Sequence, residues 1–284
     1  MQAARSSRNR GRSSGVMSES EWFALNRASW NTRTPVHLRS RLYDLAAFKA
    51  GRTSLNPIEL EQVGEVRGRS LLHLQCHFGQ DTLSWALLGA RVTGLDLSDV
   101  AISEARALAA ELAIPARFVE GNVYDASVLL GGERFDLVFT SYGVVGWLPR
   151  LEPWARAVAA CLAPGGSFHL VEFHPAVWIW DDAFEQVVHP YDAPGEPIVS
   201  EERGTYADPE APIQLRDVGF NHGLGSVVTA LLGEGLVLER LAEFDWSPYD
   251  IFPDMEEVAP GRFRMRRFGR NLPMVYSLVA RRPG

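Results

Sequence analysis

The sequence predicts a doubly wound α/β fold with a seven-stranded, mostly parallel sheet, and three observations carry that expectation. From Ser70 onward, short apolar runs alternate with helical patterns, as in successive β-α units that build a parallel sheet. Turn signals such as Gly89, Gly131-Gly132 and Pro164-Gly165-Gly166 separate them. The 284 residues, 46% apolar and 22% charged, suffice for a sizeable core and exclude extended disorder of the body.

Residues 1–18 are rich in Arg, Ser and Gly and are expected to form a disordered tail. Their lack of acids also fits a transit peptide, but no apolar stripe accompanies it, and Met17 is an equally good start. Residues 19–284 read as one domain. Glu21 to Leu60 gives two or three helices. Ser70–Gln75 is the first strand, Asp81–Leu88 the first helix, closed by Gly89, and Arg91–Leu95 the second strand. Ser98 or Asp99 caps a helix running to Leu112. Ala116–Val119 and Phe135–Thr140 are strands three and four. A helix over Leu151–Leu162 leads to strand five, Ser167–Phe173. Residues 175–222 are proline-rich and irregular and are expected to be an insertion over the sheet edge. Gly225–Leu232 is the last helix, Leu236–Glu243 strand six, 245–269 a second irregular insertion, and Met274–Ala280 the closing strand.

Charge narrows the function. The net charge is −7, and four of the positive charges, Arg5, Arg8, Arg10 and Arg12, lie in the first twelve residues, so the remainder stands at −11. An acidic body repels a phosphate backbone, which argues against nucleic acid as a partner. No apolar run approaches the roughly 20 residues needed to span a bilayer. Two cysteines, Cys76 and Cys161, are too few for a disulfide scaffold, so a reducing, cytoplasmic setting is expected. Monomer and homodimer both remain open.

Five β-α units, then a helix, a strand, a loop and a terminal strand, form an order that resembles the class I S-adenosylmethionine-dependent methyltransferases. The resemblance covers Glu21 to Arg282 and is strongest from Ser70 to His174. It implies a Rossmann-like sheet whose last strand returns antiparallel between strands five and six. At the first turn the family has an acidic residue and then three glycines at alternate positions; here those positions hold His73, Gln75, His77 and Gly79. Only Gly79 matches. The run His73-Leu74-Gln75-Cys76-His77-Phe78-Gly79-Gln80-Asp81 nevertheless resembles one bacterial branch that acts on small molecules. The resemblance therefore places Gln75, Cys76, His77 and Gly79 against the methionine part of the cofactor, with a plain strand-to-helix turn carrying two structural histidines as the alternative.

An acid at the end of strand two can accept hydrogen bonds from both ribose hydroxyls of a nucleoside, and Asp96 stands there. Leu97 would lie on the adenine. After strand three, the resemblance sets Asn122 against the adenine amino group and the Val123 N–H against a ring nitrogen, although Gly121-Asn122 also suits a simple turn. Ser141 and Tyr142, ending strand four, lie where the family hands over the methyl group. Tyr142 or Trp147 could offer a π face to a sulfonium. The Asn/Asp-Pro-Pro-aromatic pattern of enzymes that methylate nucleic-acid bases is missing here.

Strand five delivers Glu172 and His174 with the same orientation, and either could remove a proton from an acceptor. His222 resembles a position in the same bacterial branch, and Glu243 is expected to pair with it or to shape the acceptor site. Trp147, Trp178 and Trp246 are the aromatics expected to face substrate, the others forming the core of the cap. The seven histidines show no ligand spacing, so no metal is expected. The resulting expectation is methyl transfer from S-adenosylmethionine to an O, N or S atom of a small, apolar or aromatic acceptor. A nicotinamide-dependent oxidoreductase and a non-catalytic S-adenosylmethionine-binding protein are the alternatives.

Overall fold

A computed structural model describes residues 17–284. The expected disordered tail lies outside the described residues except for Met17 and Ser18. Ser18 begins the fold as one half of a capping box with Glu21, which starts α1 (Glu19–His37). Two short helices follow, α2 (Leu45–Lys49) and α3 (Pro57–Val63), the latter opened by a proline whose missing N–H is no loss in a first turn.

The β-α units come next: β1 (Ser70–Leu74), α4 (Gln80–Leu87), β2 (Arg91–Asp96), α5 (Asp99–Glu111), β3 (Ala116–Glu120), α6 (Ala126–Leu129), β4 (Phe135–Ser141), α7 (Leu151–Cys161) and β5 (Leu162–Phe173). Ser98 caps α5 by accepting the N–H of Ala101. The chain then forms β6 (Ile198–Arg203), β7 (Gln214–Gly219), α8 (Leu224–Gly233), β8 (Val237–Phe244), β9 (Met255–Ala259), β10 (Arg262–Met265) and β11 (Val275–Arg281).

Seven strands make one sheet in the order β3-β2-β1-β4-β5-β11-β8, and β11 runs antiparallel to both its neighbours. The chain winds outward from β1 to β3 and then returns to place β4 on the other side of β1. That reversal opens a crevice at the carboxyl ends of β1 and β4, where open α/β sheets bind their ligands. Both faces of the sheet are covered, which explains the near-continuous apolar strands. Val138 of β4 joins Trp154, Phe168 and Leu231 beneath α7 and α8, while Leu137 and Phe139 join Trp85 and Val63 beneath α3 and α4.

Two expectations are corrected. β5 begins at Leu162, five residues early, because Leu162 already pairs with Phe135 and, across an irregularity at Gly165, Gly165 and Gly166 bond to Arg282 near the end of the chain. Each insertion also holds a hairpin, β6–β7 in the first and β9–β10 in the second. Prolines around the strands hid the first alternation, and Pro260-Gly261 closes the second.

The first hairpin is where α1 docks. The Asn26 side chain donates to the Val218 carbonyl (2.9 Å) and accepts the Val218 N–H (2.8 Å), acting as one more strand partner for β7. Arg33 pairs with Asp217 at 2.7 Å, both side chains being 3% exposed. Helix and hairpin together roof the carboxyl edge of the sheet.

Candidate active site

Beneath that roof lies a cavity of about 980 Å³, reaching from the turns after β1, β2, β3 and β4 into the two insertions. Gln75, Cys76, His77, Gly79, Asp96, Leu97, Asn122, Val123, Ser141 and Tyr142 all line it, as do Trp147, Trp178, Glu172 and His222. His174 and Trp246 do not.

The turn after β1 keeps a glycine-like backbone with few glycines. Gln75, His77 and Gly79 have φ of 56°, 51° and 78°, a left-handed conformation that costs a residue with a side chain about 1–2 kcal/mol. Side-chain bonds hold it there. Gln75 Nε2 donates to the Val144 carbonyl (2.9 Å), and the His77 N–H donates to Asp96 Oδ2 (2.8 Å). His77 Nδ1 accepts the Phe78 N–H (2.7 Å), so its proton lies on Nε2 and is donated to His37 Nδ1 (2.9 Å); His37 Nε2 then donates to Thr205 Oγ1 (3.2 Å) in the first insertion. The chain of bonds requires both rings neutral. Burial, with Arg33 nearby, pushes His37 down to about 3 and holds His77 well below its ordinary value.

Asp96 accepts from two backbone N–H groups, His77 on one oxygen and Ser98 on the other (2.9 Å), so each oxygen keeps a second lone pair. Burial pushes this carboxyl up and the N–H groups pull it back. Asn122 spends part of its amide as a turn cap, Oδ1 accepting the Tyr124 N–H (3.0 Å).

The turn after β4 is built around Glu172. Its carboxylate accepts the N–H groups of Gly143, Val144 (2.7 Å), Val145 (2.9 Å) and Phe173 (2.7 Å), and the residue is 3% exposed. Every lone-pair direction is taken, which corrects the expectation that Glu172 is a base: it positions the turn. Tyr142 enters that turn at φ 41° and donates its hydroxyl to Glu59 (3.0 Å), with Tyr249 edge-on at 5.0 Å.

His174 is also corrected. Its Nδ1 accepts the Ala176 N–H (3.1 Å) and its Nε2 donates to Glu243 (2.8 Å), outside the cavity, so Glu243 pairs with His174 and not with His222. Trp246 packs on Phe244 beneath the Arg262 guanidinium, 4.5 Å from its ring centre, and does not line this cavity. His222 keeps the chemistry of a base. Its Nε2 donates to the Leu148 carbonyl (2.6 Å), leaving on Nδ1 a buried lone pair without a partner among the described residues.

Three lining or supporting residues escaped the sequence reading. Arg33 stacks over Trp30 and Trp147 (5.4 and 5.6 Å) while paired with Asp217. Asp81 and Glu59 are pushed up by burial, to about 6 and about 8. In sequence, both acids look like ordinary first-turn acids of α4 and α3, and no spacing sets them apart.

A direct test of the Glu172 correction is Glu172→Gln. Its amide cannot accept all four N–H groups, so stability to urea should fall by about 2–4 kcal/mol; a base would instead lose turnover with stability unchanged.

Comparison with known proteins agrees with this geometry. A methyltransferase domain family matches residues 72–168. An uncharacterized methyltransferase from Synechocystis sp. is 33% identical over 157 residues, which are 54% of this chain and 70% of that protein. A ubiquinone biosynthesis O-methyltransferase from Methylobacterium sp. is 35% identical over 134 residues, 47% of this chain and half of that protein. Among solved structures, a putative S-adenosylmethionine dependent methyltransferase from Listeria monocytogenes shares the fold at a TM-score of 0.55 and 16% identity, covering 84% of this chain and 100% of its own. The sheet order, the strand-end cavity and these relatives lead to one assignment: the chain belongs to the class I S-adenosylmethionine-dependent methyltransferases and uses that cofactor as an enzyme.

Proposed function

We propose that this enzyme methylates a hydroxyl group on a small, aromatic or apolar acceptor, with His222 taking the hydroxyl proton. The observation that carries the reading is that His222 lines a cavity otherwise rich in aromatic side chains while its buried Nδ1 has no hydrogen-bond partner among the described residues. The Methylobacterium relative, by its name an O-methyltransferase, supports the same acceptor atom.

The residues present fit the cofactor. Asp96 retains two lone pairs for ribose hydroxyls, Leu97 and Val123 supply apolar contact for adenine, and the left-handed turn from Gln75 to Gly79 brings backbone close to the methionine part. When bound, S-adenosylmethionine supplies a methyl group made electrophilic by a positive sulfur. The protein's tasks are to hold the nucleophile in line and to exclude water, and Phe173, Trp178, Tyr249 and Phe252 form an apolar wall suited to both. The hydroxyl proton moves to His222 Nδ1, while Nε2–H stays on the Leu148 carbonyl. Asp192 and Glu152 favour the imidazolium so formed.

Burial lowers His222 below its ordinary 6.5, so the ring is neutral at pH 7 and ready to accept. For such a group kcat should be level above pH 6.5 and fall only as acid protonates the ring. His222→Gln should lower kcat on a phenolic acceptor by about 10²–10⁴ and abolish the acid limb, with binding of S-adenosylhomocysteine unchanged. Full turnover in His222→Gln, or turnover of ring-matched amines or thiols in place of phenols, would contradict the reading. For the ribose contact, Asp96→Ala should weaken S-adenosylhomocysteine at least tenfold by calorimetry, about 1.4 kcal/mol.

A further inference from the structure

We propose that the Tyr249 hydroxyl selects the acceptor by donating a hydrogen bond to a neutral oxygen, a carbonyl, borne by the same ring system as the methylated hydroxyl. This deepens the reading of a small aromatic acceptor given above and rests on it. The starting point is a chain of hydrogen bonds beside the turn after β4. Tyr142 donates to one oxygen of Glu59 (3.0 Å), and Asn56 Nδ2 donates to the other (3.1 Å). An ionised carboxylate only accepts, so Glu59 fixes which end of the Asn56 amide is nitrogen. The same Nδ2 donates to the Tyr249 hydroxyl oxygen at 2.9 Å. The hydroxyl hydrogen of Tyr249 is then left without an acceptor among the described residues, while Tyr249 and Asn56 both line the cavity. A donor held in place through its own oxygen is pre-oriented for a ligand.

Charge, shape and position define what meets that donor. Burial, with the charges of Asp81 and Glu59, holds the Tyr249 hydroxyl well above its ordinary value, so it keeps its proton. The same two acids repel an anion, which makes a carboxylate or phosphate a poor partner and a neutral oxygen a good one. Tyr249 stands edge-on to Tyr142 (5.0 Å) and beside Phe173 (6.4 Å), in the wall that Trp178 and Phe252 complete. An oxygen arriving there belongs to a flat, apolar group. Tyr142, which Tyr249 abuts, begins the turn after β4, and Leu148, whose carbonyl holds His222, ends it. Tyr249 and His222 therefore address two different oxygens of one acceptor. An analogue without the carbonyl leaves the Tyr249 donor unpaired in an apolar wall, which is how a polar group discriminates strongly.

The test measures binding without turnover, so its result is independent of His222 and of the atom methylated. A panel of methoxyaryl ketones, the products expected of the reaction, and their counterparts with CH₂ in place of the carbonyl would be titrated into enzyme saturated with S-adenosylhomocysteine. At pH 9 these ligands are uncharged, and Glu59, pushed up to about 8 by burial, is ionised. Wild-type enzyme should bind at least one ketone about tenfold or more tightly than its counterpart. Tyr249→Phe keeps the ring in the wall and should cut that ratio to less than about threefold, with affinity for S-adenosylhomocysteine unchanged. Three results would each overturn the inference: no ketone preference in wild-type enzyme, a preference that survives in Tyr249→Phe, or a loss of S-adenosylhomocysteine affinity that matches the loss for the ketone. Failure of the hydroxyl reading shows separately, as turnover of amines or thiols in place of phenols with the ketone preference intact.

Discussion

Backbone N–H groups at the carboxyl edge of the sheet must find acceptors, and two inward carboxylates provide them. Each sits at the end of one strand and organises the turn of the neighbouring strand: Asp96 of β2 holds the turn after β1, and Glu172 of β5 holds the turn after β4. These two turns face each other across the reversal in strand order, joined by Gln75 and Val144. The cavity depends on that arrangement, because a left-handed backbone at Gln75, His77 and Tyr142 persists only when bonds outweigh its strain. Where glycine would meet this requirement at no steric cost, Gln75 and His77 carry side chains that tie the turn in place.

The tie extends beyond the sheet. His77 passes a hydrogen bond through His37 to Thr205, so a turn that lines the cavity, the end of α1 and the first insertion share one set of bonds. Around it pack Trp30, Tyr43 and Tyr206, with Arg33 covering Trp30. The roof over the cavity is thus built on neutral histidines and aromatic faces, and the buried Arg33 guanidinium is paired with Asp217.

Much of this was legible in the sequence, because strand periodicity is a local signal and strand ends are where ligands bind. The ten residues expected around the cofactor, Asp96 at its strand end among them, all line one cavity. What failed depended on long-range partners. Glu172 and His174 were expected to point the same way, but one meets three N–H groups from the distant turn after β4 and the other meets Glu243 outside the cavity, partners that lie 27 to 69 residues away in sequence. Trp246 is another case: an aromatic in an insertion can face substrate or fill the insertion's own core, and only the Arg262 and Phe244 contacts decide. Glu59, beneath Tyr142, left no trace in sequence because an acid after Pro57 is ordinary at a helix start.

The most direct test of the account is a crystal structure of the enzyme with S-adenosylhomocysteine and a phenolic acceptor. The account predicts ribose hydroxyls on Asp96, adenine between Leu97 and Val123, and the acceptor hydroxyl within hydrogen-bond reach of His222 Nδ1. A ribose held away from Asp96, or an acceptor oxygen approached by a base other than His222, would contradict it.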